Sequence, residues 1–167
     1  MSGQALPTMP PTCTLRLATR DDALMIAQLS RDRVELGLGW SWTTPRVLRS
    51  IRDRATNVVV AQGAVEPLGF GIMKYHDDEA HLLLLAVRAE RTREGIGSAL
   101  VGWLEQSALV AGIGRVRLET RVSSADARAF YQRLGYRELN SLPGYSSGRE
   151  ACVQRARDLW VGRAVPG

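Results

Sequence analysis

The sequence has few cysteines and no long apolar run. Its two cysteines, Cys13 and Cys152, are too few for the disulfide framework of a secreted domain, and we interpret them as incidental thiols. The longest apolar run, residues 82–87, is far shorter than the roughly 20 residues that span a bilayer. Residues 1–12 lack the basic start and the apolar core of a signal peptide. These absences predict a soluble, cytoplasmic protein.

Lysine is almost absent as well. Of 22 basic residues, against 17 acidic ones, all but Lys74 are arginine. A surface of this charge attracts anions, which include nucleic acid, acidic membranes and polyphosphate cofactors. The arginines are spread along the chain without a run of five or more, and this argues against a nucleic-acid partner. Neither membrane nor nucleic acid is therefore expected as a partner.

The residue pattern predicts one α/β domain of the mixed α+β kind. A chain of 167 residues fits one domain, which we place at residues 13–160, between a flexible lead-in (1–12) and a tail (161–167). Alternating or apolar runs predict strands, and i, i+3, i+4 spacing predicts helices. The predicted order is β-α-α-β-β-β-α-β-α-β-β. Because hairpin strands precede two strand–helix units, this order excludes a doubly wound sheet and predicts a mixed, mostly antiparallel sheet flanked by helices.

The segment RTREGIGSAL, residues 91–100, lies between a predicted strand and the most regular predicted helix. The first turn of a helix leaves backbone N–H groups without internal partners, so it suits phosphate oxygens. Gly95 and Gly97 permit close approach of a ligand to the backbone. The segment matches neither a P-loop nor a dinucleotide fingerprint. By itself it predicts either a phosphate cradle or simply the start of a helix.

The predicted strand at residues 115–121 carries a row of polar side chains. Arg117, Glu119 and Arg121 share one face because side chains alternate along a strand. Glu119 is either an ion-pair partner of these arginines or a catalytic base. In the next predicted helix, Tyr131 lies on an apolar stripe, where it is either a core residue or part of a site.

Two segments, LLAVRAERTREGIGSALVGWL and LETRVSSADARAFYQRLGY, together resemble the GNAT superfamily of N-acetyltransferases. Within it, the chain looks most like the bacterial ribosomal-protein-alanine N-acetyltransferases. The resemblance implies transfer of an acetyl group from acetyl-CoA to a primary amine, without a metal. It also implies that Glu119 is the general base and Tyr131 the general acid. His81 is a rival base, since it falls where related histone acetyltransferases carry a glutamate.

The same resemblance implies which residues contact acetyl-CoA. They are Leu85, Ala86 and Val87 along the pantetheine arm, Arg93, Glu94, Gly95, Ile96, Gly97 and Ser98 around the pyrophosphate, and Ser124. Two residues depart from the family pattern: Thr92 replaces a glutamine or arginine, and Ser124 replaces an asparagine. Arg91 and Arg93 are candidates to supply the missing side-chain contact.

The identity of the acceptor amine is the part of the predicted function that the sequence determines least. A peptide N-terminus and a small amine both fit, with Trp40, Trp42 and Tyr145 as candidate walls of the acceptor site. Two other functions stay open: a catalytically silent acyl-CoA sensor or partner module of the same fold, and an arginine-rich RNA-binding protein. The sequence also leaves open whether the protein is a homodimer.

Overall fold

The computed structural model describes residues 13–34, 41–142 and 152–160. Within these ranges the strands are β1 (Cys13–Leu17), β2 (Thr56–Gly63), β3 (Pro67–Tyr75), β4 (Ala80–Val87), β5 (Arg115–Arg121), β6 (Arg137–Leu142) and β7 (Cys152–Asp158). The helices are α1 (Ala23–Arg33), α2 (Thr44–Arg52), α3 (Ile96–Val110) and α4 (Ala125–Arg133). This is the predicted order. Trp40, Tyr145, the lead-in and the tail lie outside the described residues.

The strands form one seven-stranded sheet in the order β1-β2-β3-β4-β5-β7-β6. β4 pairs with β5 in parallel, while β1 with β2, β5 with β7 and β6 with β7 pair antiparallel. The predicted mixed sheet is therefore confirmed. β4 is an interior strand, as its apolar run predicted, and its bounds are the predicted ones.

The chain divides into two compact units, each with its own apolar core. Among the described residues, the first unit comprises those within 13–72 and 84–104, and the second comprises those within 73–83 and 105–160. Fully buried side chains of the first include Ile26, Val47, Val59, Phe70 and Leu100. Buried side chains of the second include Leu82, Val116, Leu118, Tyr136 and Ala156.

A buried carboxylate holds the turn between β1 and α1. Asp22 accepts hydrogen bonds from the Arg16 guanidinium at 2.8 and 2.9 Å and from the Thr19 backbone N–H at 2.8 Å. Arg16 also donates to Gln62 on β2 at 2.9 Å. The Arg16 guanidinium, with the Thr19 amide, holds the pKa of the Asp22 carboxyl below its usual range. The stability of this turn is therefore linked to pH.

Replacing Asp22 by asparagine should lower the free energy of unfolding by about 1–2 kcal/mol near neutral pH, since hydrogen bonds to charged groups contribute about this much. Because the folded-state pKa lies below the unfolded value of about 3.9, this stabilisation is complete above the unfolded pKa and is lost as pH falls through the folded pKa. Urea unfolding across this range measures the effect. Asp21→Asn, at the exposed neighbouring position, is the control. A wild-type advantage that does not shrink in acid would contradict the assignment.

Candidate active site

The polar face of β5 is half-exposed while its other face is buried. Val116, Leu118 and Thr120 are buried, and the arginines and Glu119 between them are not. β4 pairs with β5 in parallel, and His81 lies opposite Arg117. The polar face of β5, which the alternation of polar and apolar residues predicted, is therefore present, and it extends onto β4.

Glu119 is hydrogen-bonded on both of its oxygens. Oε1 lies 2.8 Å from Nε2 of His81, and Oε2 accepts from the Arg117 guanidinium at 3.1 Å. The hydrogen bond from His81, followed by the charges of His81 and Arg117, outweighs partial burial and holds the pKa of Glu119 below its usual range. The two residues that the sequence presents as rival bases are therefore directly bonded to each other. The predicted ion pair of Glu119 with a neighbouring arginine is also present.

Glu79 continues this row of charges on the other side of Arg117. Its carboxylate accepts a hydrogen bond from Nε of Arg117 and lies 3.8 Å from Nε of Arg115. Its backbone carbonyl accepts from the N–H of His76 at 2.9 Å, which closes the turn before β4. Glu79 was not predicted as a site residue, although its spacing of two from His81 was a signal that both could lie on one face.

Tyr131 is buried on α4. The helix begins after Ser124, whose side chain accepts a hydrogen bond from the Ala127 N–H at 3.3 Å. Tyr131 is 8% exposed, and its ring makes edge-on contacts with Phe130 and Tyr136. Burial raises the pKa of its hydroxyl, so the group keeps its proton at neutral pH. Within the described residues, Tyr131 makes no hydrogen bond with His81 or Glu119.

The packing around Tyr131 includes a polar cluster that the sequence did not reveal. The Tyr136 hydroxyl donates to Glu105 on α3 at 2.9 Å, and Arg157 on β7 donates to both oxygens of the same carboxylate at 2.9 and 3.0 Å. Tyr136 is 31 positions from Glu105 in the sequence, and Arg157 is 52 positions from it, so no local pattern could predict the cluster. It fixes the Tyr136 ring against which Tyr131 packs.

The predicted pantetheine strand is the C-terminal half of β4. Ala86 is buried, whereas Leu85 and Val87 are half-buried. A Cβ atom on Gly69 would lie 2.7 Å from the Ala86 carbonyl oxygen, so glycine allows β3 to run close alongside. The Val87 carbonyl accepts from the Arg33 guanidinium at 3.0 Å.

The predicted phosphate cradle has an unusual backbone. Arg93 and Gly95 both have positive φ, 68° and 83°, and the Gly95 carbonyl accepts the first bond of α3 from Ala99. A Cβ on Gly95 would meet nothing within 4 Å, so conformation rather than packing requires glycine there. Residues 92–95 are exposed. The predicted cradle thus coincides with the start of α3, and the space beside the Gly95 Cα is open.

Arg91 does not supply a free charge to this cradle. Its guanidinium donates two hydrogen bonds to Glu94, at 2.7 and 2.9 Å, and this pairing keeps the pKa of Glu94 low. Thr92 donates to the Ala89 carbonyl at 3.2 Å. Arg93 remains the exposed arginine at the cradle. Of the two candidate arginines, Arg91 is therefore paired with Glu94.

These features, a central β4, the α3 cradle and a carboxylate on β5, agree with the match found in family comparison. Residues 25–136 match the model of the acetyltransferase (GNAT) family, which is more than half of the chain. The protein belongs to the GNAT family. It is an N-acetyltransferase.

Three curated relatives are N-acetyltransferases by name. The chain is 30% identical over 115 residues to the ribosomal protein bS18-alanine N-acetyltransferase of Escherichia coli, covering 67% of this chain and 77% of that protein. It is 27% identical over 134 residues to the aminoalkylphosphonate N-acetyltransferase of Salmonella typhimurium, covering 77% and 87%. It is 40% identical over 74 residues to an uncharacterized N-acetyltransferase of Methanocaldococcus jannaschii; that match covers 44% of this chain and 47% of that relative.

Solved structures show the same fold. Ard1 from Thermoplasma volcanium superposes with a TM-score of 0.78 at 25% identity, over 89% of this chain and 98% of that one. The E. coli ribosomal-protein-S18-alanine N-acetyltransferase superposes with a TM-score of 0.76 at 22% identity, over 93% and 97%.

The described residues contain neither a candidate metal site nor a helix that could span a membrane. Among the residues that the structure describes, no cluster of three or more histidine, cysteine or carboxylate side chains could hold a metal ion. No helix within the described ranges is long and apolar enough to cross a membrane.

Replacing Gly95 by alanine should destabilise the protein by about 1–2 kcal/mol, because an L residue with a side chain is strained at φ 83°. Gly102, inside α3, is the matched control: a Cβ there also meets nothing within 4 Å, but the position is helical. Gly102→Ala should therefore stabilise by about 0.5–1 kcal/mol. Chemical unfolding of both variants measures the difference. Equal effects would show that the backbone at residue 95 is not left-handed.

Proposed function

We propose that the protein transfers acetyl from acetyl-CoA to a primary amine, with Glu119 and its partner His81 as the base and Tyr131 as the acid. The 2.8 Å bond between Nε2 of His81 and Oε1 of Glu119, on a half-exposed polar face, is the observation that carries the proposal. A partly buried titratable group whose pKa is shifted by a specific charged partner is a candidate for a functional site.

The base is needed because an amine with a pKa near ~8 arrives mostly protonated at neutral pH. Glu119 is ionised there, since its pKa is lowered, and it accepts the proton directly or through water. By itself a carboxylate of lowered pKa is a weak base. The hydrogen bond to His81 couples the two groups, so that they take up the proton as a pair.

The neutral amine then attacks the thioester carbonyl carbon, forming the new carbon–nitrogen bond as the carbon–sulfur bond breaks. Backbone N–H groups near Leu85 to Val87 are proposed to stabilise the oxyanion. The Tyr131 hydroxyl, which burial keeps protonated, donates its proton to sulfur as negative charge develops there, so that the leaving group departs as a thiol. The attacking nitrogen releases its extra proton to the Tyr131 phenolate, which restores the acid. The proton held by Glu119 and His81 passes to solvent, which restores the base.

The cofactor contacts follow from the family pattern, and the cradle geometry supports them. We propose that backbone amides of residues 93–98 bind the pyrophosphate, with the Arg93 side chain as the neighbouring cation. The open space at Gly95 and the exposure of residues 92–95 fit an anion at the start of α3. Ser124 accepts a bond as the cap of α4 and still has a hydroxyl proton to donate to the cofactor.

The acceptor is proposed to be a peptide N-terminus or a small amine. The relatives named above include one that acts on alanine of a ribosomal protein and one that acts on an aminoalkylphosphonate, so both classes have support. Trp42 is 7% exposed, and the Arg46 guanidinium lies 3.8 Å from the centre of its ring. This burial favours Trp42 as a core side chain rather than an open wall of the acceptor site.

Replacing Glu94 by glutamine should tighten coenzyme A binding several-fold, because the change removes a negative charge from the cradle and weakens the pairing that occupies Arg91. Glu90→Gln, at a nearby exposed position, is the matched control and should give a smaller gain. Calorimetric titration with coenzyme A at low ionic strength measures both. Equal affinities for wild type and Glu94→Gln would show that Arg91 takes no part in binding.

Incubation with acetyl-CoA and a mixture of peptide N-termini and small amines, followed by mass analysis of the product, should identify the acceptor. With that acceptor, Glu119→Gln, His81→Gln and Tyr131→Phe should each lower kcat/KM by about 100-fold or more, as loss of acid or base catalysis does. His76→Gln, at the exposed second histidine, should leave kcat/KM unchanged. Normal turnover by both Glu119→Gln and Tyr131→Phe would overturn the mechanism.

The same assay tests the alternative of a silent sensor. Such a module would bind coenzyme A through the cradle yet release no thiol with any amine in the mixture. Retention of a hydrogen-bonded His81 and Glu119 favours the enzyme, because binding alone would not need them.

A further inference from the structure

Four side chains form a continuous row of alternating charge along β4 and β5: Glu79, Arg117, Glu119 and His81. Nε of Arg117 donates a hydrogen bond to Glu79, and Nη1 of Arg117 donates one to Glu119 at 3.1 Å. Glu119 is in turn hydrogen-bonded to His81 at 2.8 Å. We infer that Arg117, anchored by Glu79, is a positioning residue that fixes Glu119 against His81. The inference rests on the proposed function, in which these two residues handle the proton.

The geometry of the guanidinium suits it to this task. Arginine presents its donors in a rigid planar fork, so one side chain can bond a different carboxylate on each side. Arg117 is one-quarter exposed and uses both sides, one for Glu79 and one for Glu119. Without it, Glu119 would keep one anchor and could turn away from His81 by side-chain rotation. Arg117 therefore restricts where the carboxylate can point.

This restriction has a consequence for the histidine ring. A carboxylate held at Nε2 accepts a hydrogen bond from it, so the neutral ring carries its proton on Nε2 and has its lone pair on Nδ1. In this arrangement Nδ1 is the nitrogen that can take up a further proton. Arg117 also helps to lower the pKa of Glu119, because it is a cation close to that carboxylate.

The other charged groups around the row are placed elsewhere. Arg115 and Arg121 share the face of β5; Arg115 lies toward Glu79, and Arg121 is two residues beyond Glu119.

On β7 the uncharged Gln154 and Ala156 lie opposite Glu119 and Arg117. Asp158, opposite Arg115, pairs with Arg137 at 3.4 Å. Arg155 and Arg157 of β7 lie opposite Leu118 and Val116 and pair with Glu138 and Glu105. Arg117 is thus the arginine bonded to Glu119.

The test is nitrogen-15 NMR of the His81 ring in the full chain, at a pH where the ring is neutral, because it distinguishes the ring nitrogen that carries the proton from the one with the lone pair. The chain has two histidines, so His76→Gln in every sample leaves the His81 ring as the single histidine signal. With Arg117 present, the ring should carry its proton mainly on Nε2. Arg117→Gln and Arg117→Lys should both lower this Nε2–H fraction, since lysine keeps a charge but not the two-sided fork that holds Glu119.

Arg121→Gln is the matched control. It removes one cation from the same face of the same strand, at the same spacing of two residues from Glu119 in the opposite direction. Its Nε2–H fraction should stay near the wild-type value, because the hydrogen bond that holds Glu119 comes from Arg117. If Arg117→Gln and Arg117→Lys lower the Nε2–H fraction no more than Arg121→Gln does, Arg117 is not a positioning residue.

The NMR measurement uses neither acetyl-CoA nor an acceptor, so its outcome is independent of the proposed function. A kinetic readout links the two: Arg117→Lys should lower kcat/KM in proportion to its loss of the Nε2–H form of His81. A change of the NMR signal without a change of kcat/KM would overturn the role of Arg117 in the reaction. Failure of the proposed function would instead be seen as full turnover by the Glu119→Gln and His81→Gln variants.

Discussion

The hydrogen bond between His81 and Glu119 depends on the parallel pairing of β4 with β5. Parallel neighbours cannot be joined by a tight turn, so the chain between them must cross over through a dozen or more residues. Here the crossover is residues 88–114, and it contains α3 together with the left-handed backbone at Arg93 and Gly95. The connection that permits the pairing thus also supplies the start of a helix with unpaired amides. One topological requirement produces both features.

A polar face on interior strands is tolerable only when its charges are compensated. Along β4 and β5 this compensation is local: Glu79 pairs with Arg117, Arg117 with Glu119, and Glu119 with His81. The opposite face of β5 is buried and apolar apart from Thr120. There the Thr120 hydroxyl accepts a bond from Arg155, which is itself paired with Glu138. Each face therefore pairs most of its own polar groups, and among the described residues the exception is Nε of Arg115, which is buried without a hydrogen-bond partner.

The strands and helices were readable from the sequence because their signals are local. The bounds of β4 and β5 agree with prediction, since an apolar run and a strict alternation each end at polar or glycine residues. The hydrogen bond between His81 and Glu119 could not be predicted from the sequence, because the two residues are 38 positions apart and their contact depends on the register of β4 against β5. The Arg91 to Glu94 pair was missed although its spacing of three is local. Tyr131 was correctly placed on an apolar stripe, but its packing on Tyr136 needed the fold.

The environments of Glu119 and Tyr131 move their proton affinities in opposite directions. Hydrogen bonds from His81 and the charge of Arg117 lower the pKa of Glu119, whereas burial raises that of Tyr131. At neutral pH the carboxylate is therefore ionised and the phenol is protonated. A base must begin without its proton and an acid must begin with one, so each group starts in the state that its proposed role requires. Were the two environments exchanged, both groups would begin in the wrong state, and this asymmetry is the physical argument for assigning the roles in this order.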